Sequence, residues 1–108
     1  MQVTTPPEVL SQIAGLARSG RMDEAAVLVE SARHRSANDP VLAALGGAIE
    51  FHRGQFDRAV PLLSQAHANK PGDITIRTNL AEAQPLAQRV LRQSDPAKTR
   101  ELLEKLNS

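Results

Sequence analysis

The sequence predicts an all-α protein, and three observations carry that prediction. Apolar residues recur at helical rather than strand spacing, as in Ala25, Leu28, Val29 and Ala32. The residues AVILMFWYC make up 41% of the 108, yet only Phe51 and Phe56 are aromatic, so the interior must be built from Ala, Leu, Val and Ile, which suits closely packed helices. The only tract with the β-branched alternation of a strand is the short DITIRT at 73–78. A chain of this length holds a single domain, 1–108.

The first helix is expected from Pro7 to Ser19, with proline in the first turn, where its missing N–H costs least, and with Gly20 as the stop. The second is expected from Asp23 to Arg35. Asp39 then caps a third helix, Pro40 to Arg53. A fourth runs from Asp57 to Asn69 and tolerates Pro61 in its first turns. A long helix follows from Asp73 to Gln93, with Pro85 as a site for a kink. A terminal helix from Pro96 to Asn107 is capped by Asp95 and carries Leu102, Leu103 and Leu106 on one face. The total is about six helices.

A displacement of 34 residues lays the chain over itself. It pairs Gly20 with Gly54, Asp23 with Asp57, Ala25 with Ala59, Leu28 with Leu62 and Ala32 with Ala66, and also Pro6 with Pro40, Ala14 with Ala48 and Asp39 with Asp73. With this period, 6–39 and 40–73 resemble two tetratricopeptide repeats, each a pair of antiparallel helices joined by a tight turn. The second repeat supplies Gly47, Gly54, Phe56, Ala59, Leu63, Ala66 and Pro71 at the signature positions, and departs with Gly46 in place of Leu and Glu50 in place of Tyr. The first is more degenerate: Ile13 takes the small position and Leu16 the tyrosine position, and Gly20, Met22, Ala25, Val29 and Ala32 stay in register. The resemblance implies a right-handed stack of antiparallel helix pairs, with 74–108 a divergent repeat whose last helix caps the stack. It gives Gly47 a reason, close approach of the next helix, and each turn glycine a positive φ. Gly46 has no role in the pattern; it either admits a neighbouring side chain or, the favoured reading, is simply tolerated, at about 1 kcal/mol against Ala.

Charge and motifs narrow the function by exclusion. The formal net charge is +1, with 13 basic and 12 acidic residues dispersed along the chain, so no block points to a nucleic-acid or membrane partner. The start, MQVTTPPEVL, lacks the layout of a signal peptide, and no apolar run approaches the ~20 residues that span a bilayer, which implies a soluble, cytoplasmic protein. Ten arginines against three lysines, among many alanines, suit a GC-rich bacterial genome. With no cysteine there is no disulfide and no thiolate metal site. His34, His52 and His67 show no i, i+4 pairing for a metal, and no phosphate-binding or nucleophile motif occurs. Asp23, Glu24 and Asp57 sit at helix starts, where carboxylates complement exposed N–H groups. The expectation is a non-enzyme without cofactor or metal.

In proteins with this repeat, the first helix of each pair lines a concave surface that receives an extended peptide or a helix. The resemblance places Leu10, Ala14, Ala17 and Arg18 of the first helix, Ala44, Ala48, Phe51 and His52 of the third, and Thr75, Thr78 and Glu82 of the fifth on that surface. Family members that grip acidic tails place Lys, Arg and Asn there. Here Ala, Leu and Phe dominate, with Arg18 and Asn79 the only polar remnants, so an apolar peptide or amphipathic helix of a partner protein is implied, with Phe51 as the largest contact. Two alternatives differ in class. An uncovered apolar groove suits self-association into a homodimer. The region also resembles the non-catalytic N-terminal repeats of larger bacterial enzymes that carry a sulfotransferase or hydroxylase domain.

Overall fold

The structure, a computed structural model, describes residues 4–94 and position 104. Five helices follow one another: α1 Pro7–Arg18, α2 Met22–Arg33, α3 Pro40–His52, α4 Phe56–Asn69 and α5 Ile74–Ser94. No strand occurs among the described residues, and the protein is all-α. The DITIRT tract opens α5: Asp73 Oδ1 accepts the Ile76 N–H at 3.1 Å and caps the helix, and Ile76 is buried as part of its apolar stripe. The helix expected from Pro96 to Asn107 lies outside the described residues. Among those described, no helix is long and apolar enough to cross a membrane.

The 34-residue period is written into the backbone. Gly20 and Gly54 are the described residues with positive φ, +80° and +75°. In the first turn the Gly20 N–H donates to Ala17 O at 3.1 Å and the Arg21 N–H to Leu16 O at 2.9 Å. The second turn repeats both bonds 34 residues on, Gly54 to Phe51 O at 3.1 Å and Gln55 to Glu50 O at 2.9 Å. The connections between helix pairs repeat as well. Ser36 donates to Ala32 O and Asp39 to Ser36 O; Lys70 donates to Ala66 O and Asp73 to Lys70 O. Asp39 caps α3 through Val41 N–H at 3.0 Å, and its other oxygen takes the Thr5 N–H at 2.8 Å, which anchors the segment before α1.

Each helix packs on the next, and α1 also touches α3 as α3 touches α5. The odd-numbered helices therefore form one layer, and α2 and α4 lie on the other. Ile13, Ala25, Val29, Leu42 and Ile49 fill the first core. Ala43, Leu62, Ala66 and Ile76 form a second cluster, and Ala59, Leu63, Leu80 and Ala83 a third. The stripe Ile76, Leu80, Ala83 and Ala87 runs at helical spacing past Pro85, which is exposed, and α5 is continuous there.

Small residues set the spacing between these layers. Ala25 and Ala59 are fully buried. A Cβ on Gly47 would stand 2.7 Å from Leu63 Cδ2 and 3.2 Å from the Leu63 backbone nitrogen, so α3 and α4 meet there almost backbone to side chain. At Gly46 the less favoured of the two readings holds, admission of a neighbouring side chain. A Cβ at this position would stand 2.7 Å from Val29 Cγ1, so the glycine makes room for the α2 valine in the core. Arg53, just beyond α3, ties the layers at their edge: its Nε donates to Asp23 Oδ1 at 2.9 Å and a terminal nitrogen donates to Glu50 Oε1 at 2.8 Å.

Candidate partner-binding groove

The layer of odd-numbered helices is open on its outer side, where a groove of about 640 Å³ crosses all three. From α1 come Leu10, Ser11, Ala14 and Arg18, and from α3 Val41, Ala44, Leu45 and Ala48. The start of α5 adds Asp73, Thr75, Ile76 and Asn79, and Leu63 closes the floor. The repeat explains why these residues meet. Ser11, Leu45 and Asn79 are successive steps of 34, as are Ala14 and Ala48, Leu10 and Ala44, and Val41 and Thr75, so equivalent helix faces line up side by side.

The groove is apolar and wide because Ala14, Ala44 and Ala48 end at Cβ, which leaves space above the α1–α3 seam. Val41 is 51% exposed at its rim, a large apolar surface that no described residue covers. Charge enters at the ends. Arg18 is exposed in the last turn of α1, where a cation also complements the helix dipole. Asp73 sits at the start of α5, with one oxygen already committed to the Ile76 N–H. The surface is thus apolar along its length, with a cation at the α1 end and a carboxylate at the start of α5.

Of the residues that sequence reasoning assigned to the groove, Leu10, Ala14, Arg18, Ala44, Ala48 and Thr75 line it. The others stand elsewhere. Phe51 packs against the cluster of Ala59, Leu63, Leu80 and Ala83, with its ring edge-on to Phe56 at 5.6 Å, so it belongs to the core and not to the groove. Ala17 packs on the first core. His52 is exposed at the end of α3 with its ring against Phe51 at 6.0 Å, and Thr78 and Glu82 are exposed on α5 away from the lining. Sequence reasoning missed Ser11, Val41, Leu45, Leu63, Asp73 and Ile76; for Ser11 and Leu45 the 34-residue step back from Asn79 was the available signal, and for Val41 the step back from Thr75.

His34, His52 and His67 lie on different elements, and among the described residues no three of His, Asp and Glu converge on a metal-sized site. No family model, no curated protein and no solved structure matches the chain.

Proposed function

We propose that this chain is a tetratricopeptide-type interaction module, a right-handed stack of antiparallel helix pairs that binds an apolar peptide or amphipathic helix of a partner protein. The observation that carries this reading is the groove of Leu10, Ala14, Val41, Ala44, Leu45 and Ala48 across three parallel-register helices. The recurrence of both turn geometries at 34 residues supports the repeat assignment. Binding is driven by burial of the apolar floor, at roughly 25 cal/mol per Å² of apolar surface covered, and Arg18 selects a partner with a carboxylate near that end. The module itself is non-catalytic and uses no cofactor.

The reading is tested by selecting peptides from a random displayed library on the purified domain. Selected sequences should carry apolar residues at one-face helical or alternate extended spacing. Ala48→Asp places a charge in the middle of the groove and should weaken them at least about tenfold. Peptides that bind a folded Ala48→Asp variant as tightly as the parent would refute the groove as the working surface.

A further inference from the structure

The layer opposite the groove has a cleft of its own. Helices α2 and α4 stand apart and enclose about 640 Å³, with the buried side chains of Val29, Glu50 and Leu62 at the bottom. The Glu50 side chain is only 9% exposed. Its Oε1 accepts from Arg53, whereas Oε2 is closed off from solvent and has no hydrogen-bond partner among the described residues. The other buried acid, Asp39, has both oxygens served by backbone N–H groups. Of the two buried acids, Glu50 alone has an oxygen without a donor among the described residues.

The charge around it says what that donor is. Arg53 is shared by Glu50 at the bottom and by Asp23, whose side chain is 89% exposed at the rim, one guanidinium against two carboxylates, so the cleft lining as a whole carries a net charge of −1. On the walls Glu30 and Asp57 offset Arg33 and Arg58, and none of these four forms an ion pair among the described residues. A buried carboxylate oxygen beside a net negative charge is best satisfied by a cationic donor.

We propose that the α2–α4 cleft binds a lysine side chain of a partner protein, its ammonium donating to Glu50 Oε2. A second guanidinium would have to lie against that of Arg53. An ammonium is compact, and its remaining N–H groups are free for Glu30 or Asp57 at the mouth. The four-carbon stem lies along Val27, which is 69% exposed, and Pro61. Arg33 and Arg58 on the walls favour a lysine with an acidic neighbour in sequence. Because Oε2 is closed off in the free chain, binding is accompanied by a Glu50 rotamer change that lifts the carboxylate into the cleft. The proposal is independent of the groove on the α1–α3–α5 face.

The test titrates the capped peptide acetyl-Glu-Lys-Ala-amide, and its counterpart with the lysine nitrogen acetylated, into the isotopically labelled chain and follows amide resonances. The free lysine should give saturating shifts at Val27, Glu30 and Arg58, and the acetylated peptide none. Glu50→Gln should weaken binding about tenfold. Should Glu50→Gln impair folding, the exposed pair Glu30→Gln and Asp57→Asn should weaken it about threefold in a folded chain. Shifts that do not saturate, equal shifts from the acetylated peptide, or unchanged affinity in either folded variant would overturn the proposal and leave a hydrated cleft only.

Discussion

Gly47→Ala adds one methyl group at the closest approach of two helices, and the structure fixes the sign of its effect. The new Cβ would stand 2.7 Å from Leu63 Cδ2, 2.8 Å from Leu63 Cγ and 3.2 Å from the Leu63 nitrogen. Leu63 is 1% exposed and held among Ala59, Leu80 and Ala83, so its side chain has little room to turn, and its nitrogen moves only with α4. The helix gains about 1 kcal/mol when glycine becomes alanine. Overpacking of this kind costs about 1–3 kcal/mol, so the net loss is about 1 kcal/mol, a fall of roughly 4–8 °C in Tm for a domain of this size. Gly15 is the control, because a Cβ there meets nothing within 4 Å; Gly15→Ala should gain about 1 kcal/mol. Urea denaturation followed by circular dichroism measures both. Adding Leu63→Ala removes the two closest atoms, Cδ2 and Cγ, and leaves the backbone nitrogen, so the double variant should be more stable than the sum of the single losses by about 1 kcal/mol. A Gly47→Ala variant that gains stability as Gly15→Ala does would refute the close α3–α4 contact.

Ala59→Glu puts a charge at a fully buried site and should leave the domain unfolded in a thermal melt, a loss of more than about 4 kcal/mol. Glu24→Ala breaks only an exposed pair with Arg21 and should change stability by less than about 1 kcal/mol. Asp39→Ala removes the α3 cap and the Thr5 anchor and should cost about 1–2 kcal/mol. Burial raises the Asp39 pKa, but hydrogen bonds from Thr5, Val41 and Leu42 outweigh it and hold the carboxyl below its ordinary value. The unfolded chain thus takes up the proton first. The stabilisation is fully present above the unfolded value of about 4 and is lost as pH falls through the lower folded value. The gap between parent and Asp39→Ala in urea melts should stay constant from about pH 7 to 5 and narrow below about pH 4.

The helices were legible because their signals are local. Pro7, Pro40 and Asp39 mark starts, Gly20 and Gly54 mark stops, and the expected ends fall within two residues of those observed, the largest difference being α2, which stops at Arg33 instead of Arg35. The period was legible for a related reason: a turn that needs positive φ demands glycine each time it recurs. What was not legible depends on partners distant in sequence. Gly46 makes room for Val29 on another helix, and Arg53 reaches Asp23 across 30 residues; neither has a local mark. Phe51 was expected in the groove but packs toward α4 and α5; one residue is about 100° of helix rotation, and only the packing of those helices shows which side its ring takes. Alanines at 14, 44 and 48 do line the groove, because the repeat register, not their chemistry, locates them.

The most direct test of the interaction-module reading is amide shift mapping of the labelled chain with a selected peptide that contains no lysine, which separates the groove from the α2–α4 cleft. Saturating shifts at Ser11, Ala14, Val41, Leu45, Ala48 and Asn79, with the amides of Val27, Glu30 and Arg58 unmoved, are the predicted result. Shifts concentrated on α2 and α4, or none at the α1–α3 seam, would contradict it.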